Sequence, residues 1–230
     1  MNCLIIGAAG GIGSKLAKDL ESTSNLLLGY YKNKINTSID SRFVNASEFQ
    51  SVESFIQTGL DKFGHIDAVV SLPGSLILNP PHRCTEEDFA YTIDTNLKSA
   101  FSVVRAVGAL LDNCSIVLMS TAAASIGLAN HELIACAKAG IEGLIKSAAR
   151  TYARKNLRFN TVSPGLVNTQ LTSKITSNQI ALKASEKMHV LNKIGEPKDI
   201  SNMIRFLINT ENDWITGQNF IVDGGLSSTK

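Results

Sequence analysis

The stretch Cys3-Leu-Ile-Ile6-Gly7-Ala-Ala9-Gly10-Gly11-Ile12-Gly13 decides how the chain is read. An apolar run of strand length passes directly into a glycine-rich loop, and the loop opens a segment of helical periodicity from Ile12 to Leu20. The small residues Gly7, Ala9, Gly10, Gly11 and Gly13 let backbone N–H groups approach a pyrophosphate, and the following helix turns the positive end of its dipole toward it. In open α/β sheets such a ligand lies at the carboxyl ends of the strands, so the remaining site residues are sought where later strands end.

Working outward from that loop, strand-length apolar runs alternate with helical stretches. A strand at Leu26-Leu-Leu28 is followed by one near Phe43-Val44, a helix from about Ser47 to Phe63, a strand Ile66 to Ser71 and a helical region from Glu86 to Leu111. The pattern continues with a strand Ser115 to Ser120, a long helix from Asn130 to Arg154 and a strand Leu157 to Val162. A polar segment from Thr169 to Asn192 reads as mobile. A helix after Pro197 and a strand Asn219-Phe-Ile-Val222 close the series. Parallel strands need right-handed crossovers, so this alternation predicts an α/β fold with a doubly wound parallel sheet of about seven strands and helices on both faces. No repeat, low-complexity tract or linker divides residues 1–230, and the length suits one domain.

Composition narrows the function classes. With 44% hydrophobic and 18% charged residues the chain is a compact folder rather than a disordered one. Its 22 Lys plus Arg against 20 Asp plus Glu leave a net charge of +2, too small for a surface built on phosphate contacts, so nucleic acid is not an expected partner. Cys3, Cys84, Cys114 and Cys136 are widely spaced without C-x-x-C, which predicts neither a metal site nor a disulfide framework and points to reduced thiols in the cytoplasm. Met1 to Gly13 lacks the basic start of a signal peptide, and the longest apolar stretch, Ala100 to Leu111, is too short to span a bilayer.

The G-x-x-x-G-x-G spacing, Asn96, the Ser120-Thr121 pair ending the fifth strand, Lys138 and Ser163-Pro164-Gly165 together resemble the short-chain dehydrogenase/reductase family. Asn160, Val162, Pro164, Gly165, Val167 and Thr169 match its N-x-V-x-P-G-x-V-x-T stretch, and Gly195-Glu-Pro197, Thr216-Gly217 and Val222-Asp-Gly-Gly225 match its later landmarks. The resemblance covers nearly the whole chain. It implies a single-domain Rossmann fold, a nicotinamide dinucleotide, a small-molecule substrate and assembly as a homotetramer, or a homodimer, through the two long middle helices. The second strand ends Leu28-Gly-Tyr-Tyr31-Lys32 with no carboxylate to hold a ribose 2′-hydroxyl. NADP is therefore expected over NAD, with Lys32, and Lys34 as a further candidate, near the 2′-phosphate. Tyr31 borders the same place. Asn45 stands where the family usually has an adenine-contacting Asp, and an amide can make the same kind of hydrogen bond. Ser71-Leu-Pro-Gly74 replaces the family's N-N-A-G, putting Ser71 and Gly74 beside the cofactor with an amide side chain lost.

The family's Tyr-x-x-x-Lys reads Ile134-Ala-Cys-Ala-Lys138, so the catalytic tyrosine is absent. By resemblance, Lys138 holds the nicotinamide ribose, Asn96 holds a water, and Thr121, with Ser120 as a rival, orients the substrate oxygen. His131 is the candidate replacement for the tyrosine. It lies seven residues before Lys138, the tyrosine-to-lysine spacing of the bacterial enoyl reductases, and on a helix it shares a face with Ile134 and Lys138. An imidazole suits proton transfer near neutral pH; alternatively, the ring is only a helix-entry group following a capping Asn130. Cys136 reads as a packing residue turned from that face, and Lys174, Lys183, Lys187 and His189 as a solvated face. Two further functions stay open: a dinucleotide binder without hydride chemistry, favoured by Ile134, and a non-redox reaction on the same scaffold.

Overall fold

The computed structural model describes residues 1–229. Its centre is a seven-stranded sheet of β1 (Asn2–Ile6), β2 (Asn25–Tyr30), β3 (Ser41–Phe43), β4 (Ala68–Ser71), β5 (Ser115–Met119), β6 (Arg158–Pro164) and β7 (Asn219–Val222). The order is β3-β2-β1-β4-β5-β6-β7, and every pairing is parallel. The chain winds outward from β1 in one direction and from β4 in the other. The strand order thus reverses between β1 and β4, where such sheets open a crevice.

All five residues of β1 are buried because both faces are covered. Period-two alternation sends Cys3 and Ile5 toward one layer, α1 (Gly11–Leu20) with the late helix α8 (Pro197–Ile208). Leu4 and Ile6 point into the other, built from α2 (Phe49–Phe63), α4 (Ser99–Leu110) and α5 (Glu132–Thr151). Fully buried Phe159 anchors this second core, and truncation to Ala should cost about 3–5 kcal/mol. Cys3 and Cys114 lie in the two cores with no disulfide, and burial pushes the Cys3 thiol up to about 12, which leaves it inert.

Two readings of the sequence need refinement, at Glu86 and at Asn130. The helical region after Glu86 is not one element: α3 (Glu86–Thr92), started by a Thr85/Asp88 capping box, passes through a π-helical segment Ile93–Lys98 into α4. Apolar periodicity persists across such a widening and does not reveal it. The polar segment from Thr169 to Asn192 is built of short helical elements. It holds a short turn at Gln170–Thr172, then α6 (Ser173–Thr176) and α7 (Gln179–Met188), whose first turn Asn178 caps through Ile180 N and Ala181 N. Asn130, read as a cap, instead has φ 64°, a left-handed turn that Asn tolerates, and the cap position falls on His131. Among the described residues, no helix is long and apolar enough to cross a membrane, and no group of His, Cys, Asp and Glu is placed to hold a metal ion.

Candidate active site

Where β1 ends, Gly7 takes φ +83° and its amide, like that of Ala8, donates to the Gly29 carbonyl at 3.0 Å. A Cβ on Gly7 would stand 3.2 Å from the backbone of Leu72 and Pro73, so the loops after β1 and β4 touch. A Cβ on Gly13 would reach the Gly7 carbonyl at 2.5 Å, and one on Gly11 would press on Thr169 Cγ2 at 3.0 Å. Glycine is therefore required here for close approach of helix, strand and loop. With no acidic residue in the first turn of α1, the free N–H groups and the helix dipole form a cradle suited to a pyrophosphate.

From that cradle a cavity of about 1000 Å³ runs along the carboxyl ends of the strands. At one end it reaches Tyr31, Lys32 and Asn45, and at the other Thr121, His131, Ile134 and Lys138. Gly7, Ala9, Gly10, Gly11, Ile12, Gly13, Gly74, Asn96, Ser120, Pro164, Gly165, Val167 and Thr169 also line it. The structure thus brings together the site residues singled out in the sequence except Lys34, which is exposed and does not line the cavity, and Ser71. Ser71, the last residue of β4, is buried and does not face the cavity; the wall begins at Leu72. In a strand covered on both faces, the residue before the loop belongs to the sheet rather than to the site.

The polar residues have distinct surroundings. Lys138, 7% exposed, donates from Nζ to the Met119 carbonyl at 2.9 Å, and burial pulls its ammonium down to about 8. A Cβ on Gly74 would lie 3.7 Å from that Nζ and 3.2 Å from Asn96 Oδ1, so the loop after β4 packs directly on both side chains. Asn96, in the π-helical segment, donates to Ser75 Oγ and to the Thr92 carbonyl, both at 2.9 Å, and accepts from Ser75 N at 3.3 Å. Its side chain pins the loop after β4, and Ser75, which no motif signals, is the partner that sequence reasoning missed.

The two hydroxyl rivals separate cleanly. Ser120 Oγ donates to Glu142 Oε1 at 2.7 Å, within a network that includes Ser163 and Asn219 behind the strand ends. Its proton is committed away from the cavity. Thr121 Oγ1 accepts from Ala123 N at 3.3 Å and keeps its own proton to donate. At the other end, Asn45 caps the turn before α2, accepting from Ser47 and donating to Glu48 at 2.7 Å, while Lys32 is exposed and forms no ion pair among the described residues.

His131 initiates α5: its carbonyl accepts from Ala135 N at 2.8 Å, but its side chain makes no capping bond. The ring instead bonds through Nδ1 to the Ala129 carbonyl at 2.9 Å. A carbonyl can only accept, so Nδ1 carries the proton and Nε2 is the nitrogen left for other chemistry. Ile134, 4% exposed, fills the wall where the family's tyrosine would stand. Tyr152 is no substitute, being packed on Phe159 at 5.9 Å between ring centres, at the far end of α5. Cys136 faces solvent rather than packing. His189 is not solvated either: 3% exposed, it bonds through Nδ1 to the Ser185 carbonyl at 2.7 Å and accepts from Leu166 N at 3.3 Å, fastening α7 to the loop after β6.

A doubly wound parallel sheet with a glycine cradle at its switch point, and a buried lysine and a hydroxyl at the far end of one cavity, defines a dinucleotide-binding α/β protein of the oxidoreductase class. The chain belongs to the short-chain dehydrogenase/reductase family. The family model described as "Enoyl-(Acyl carrier protein) reductase" matches residues 7–227. Among relatives, the chain is 29% identical over 239 residues to the 3-oxoacyl-[acyl-carrier-protein] reductase FabG of Thermotoga maritima, covering 97% of this chain and 96% of that one. It is 34% identical over 194 residues to FabG of Chlamydia pneumoniae, covering 80% and 75%. Among solved structures, ElxO with NADP bound superposes with a TM-score of 0.89 at 26% identity, covering 99% of this chain and 98% of that one. A short-chain dehydrogenase/reductase from Mycobacterium ulcerans superposes at 0.92 with 22% identity, which speaks for the fold alone.

Proposed function

We propose that the protein is an NADP-dependent reductase of a carbonyl compound or an activated carbon–carbon double bond, in which His131 supplies the proton that the family takes from tyrosine. The observation that carries this reading is the Nδ1 bond of His131 to the Ala129 carbonyl, which leaves Nε2 as the nitrogen free to serve the cavity shared with Thr121 and Lys138. The nicotinamide dinucleotide, when bound, supplies or accepts the hydride. Gly7 to Gly13 hold its pyrophosphate, Lys32 its 2′-phosphate, with Tyr31 and Asn45 bordering the adenosine end, and Lys138 the nicotinamide ribose. Pro164, Gly165, Val167 and Thr169 close the facing wall.

Thr121 donates a hydrogen bond to the substrate oxygen and fixes its position. The His131 imidazolium delivers its Nε2 proton to the oxygen as charge develops there, and the Ala129 carbonyl keeps the ring oriented and stabilises its positive charge. Asn96 acts on this centre through the loop it pins at Ser75 and through a water held beside it. A binder without hydride chemistry is the second reading, and buried Ile134 at the tyrosine position favours it. Loss of NADPH absorbance with a ketone and enone panel, abolished by Lys138→Ala, establishes the reductase; tight NADPH binding with no turnover establishes the binder.

The same reading extends to assembly and compartment. An apolar groove of Ile93, Leu97, Phe101, Gly140 and Leu144, with Lys98 at its edge, runs between the two middle helices, and Phe101 is 47% exposed there. This supports a homotetramer through α4 and α5, which light scattering on wild type and Phe101→Glu tests. The unpaired cysteines support a cytoplasmic setting.

A further inference from the structure

The charges along the cavity are few. Of its lining side chains among the described residues, only Lys32, Asp94 and Lys138 carry a full charge, and no arginine is present. Lys32 lies at the adenosine end. Lys138 is turned to the Met119 carbonyl beside Asn96 and Gly74, the place of the ribose. Asp94 is half exposed and paired with Lys98 at 3.5 Å, so it adds no positive charge to the cavity. Around the reacting positions the walls come from the loop before α5, from α5 itself and from the helical segment after β6. They present Leu128, Ile134, Leu171, Ile175 and Met188, with the uncharged Gln170, Thr172 and Ser185 beside them and Leu171 and Met188 half exposed. Where family members have a phenol, this chain has a buried aliphatic side chain.

A carboxylate or phosphate brought into such walls loses water and gains no fixed cation. His131 cannot serve as that cation without surrendering the proton assigned to the carbonyl oxygen. A neutral apolar molecule loses nothing comparable and gains from covering aliphatic surface, while its carbonyl meets the polar pair of Thr121 and His131. We infer that the substrate is an uncharged, largely apolar carbonyl compound, with no carboxylate or phosphate near the reacting group. This rests on the reductase reading above and narrows its substrate.

The test compares acetophenone with 4-acetylbenzoate, which differ by one carboxylate, for binding to the protein saturated with 1,4,5,6-tetrahydro-NADP, whose nicotinamide ring is uncharged and transfers no hydride, by ligand-observed NMR. Acetophenone should saturate at a concentration at least about tenfold lower. Met188→Lys, at a half-exposed position of α7 that can accept a charge, should narrow the gap by at least about threefold. Equal binding, preference for the carboxylate, or no binding of either ketone overturns the inference. Turnover with NADPH is read separately. Acetophenone preferred but not reduced supports the substrate preference and contradicts the reductase reading.

Discussion

The Lys138 ammonium and the Met119 carbonyl meet at 2.9 Å, joining the middle of α5 to the end of β5 at the floor of the cavity. The lysine is held there by a single carbonyl and no carboxylate, and burial is what lowers its pKa to about 8. The unfolded chain therefore binds more protons than the folded one between about 8 and 10.5, and this group's contribution to stability rises with pH across that window. Lys138→Met should remove that rise and stabilise the free protein below pH 8 by at most about 3 kcal/mol, the equivalent of the shift. Denaturant unfolding at both ends of the window checks it. The same variant should lose NADPH affinity, since the ribose loses its donor.

His131→Gln should lower the reduction rate by about 10²–10⁴-fold while leaving NADPH binding within about twofold, because the ring is placed at the substrate end. Steady-state kinetics and calorimetric NADPH titration on both proteins check the two expectations.

Ile134→Tyr returns a phenol to the position where the family carries one. Ile134 is 4% exposed, so the larger ring must displace neighbours and should cost about 1–3 kcal/mol of stability. Turnover should nevertheless rise at least about tenfold, and should then tolerate His131→Gln. Thermal melts and kinetics on the single and double variants separate these effects.

Gly13→Ala places a methyl 2.5 Å from the Gly7 carbonyl and 2.7 Å from Ala8 Cα, contacts with backbone that cannot swing aside. The start of α1 should move away from β1, weakening NADPH at least about tenfold and lowering stability by about 1–3 kcal/mol. Calorimetric titration with NADPH measures the first and urea unfolding the second.

Much of this was legible in the chain because the relevant signals are local. Uninterrupted apolar runs mark strands buried on both faces, and Gly7 to Gly13 after such a run marks the cradle. Element ends were less legible: the long helix begins at Glu132 rather than Asn130, since Asn130 can be a cap or a left-handed turn and only the folded backbone chooses. The π-helical widening before α4 and the bounds of α6 and α7 are hidden for a similar reason, their short or polar turns carrying little periodic signal.

Within the site, adjacent Ser120 and Thr121 are equivalent as sequence. Glu142, twenty-two residues on, separates them by taking the Ser120 proton. His189 likewise read as a charge on a solvated helix until its ring was found between Ser185 and Leu166, contacts made across the fold that no spacing encodes. Ser71, correctly placed at a strand end, missed the cavity by one residue, because a period-two alternation allows no error of one.

The most direct test of the account is single-turnover oxidation of bound NADPH by an uncharged ketone, followed in wild type and in His131→Gln, with NADPH affinity measured on both. The account predicts matched affinities, reduction by the wild type, and a rate lower by at least about a hundredfold in the variant. Matched affinities with equal rates would contradict the assignment of His131, and tight NADPH binding with no oxidation in either protein would contradict hydride chemistry altogether.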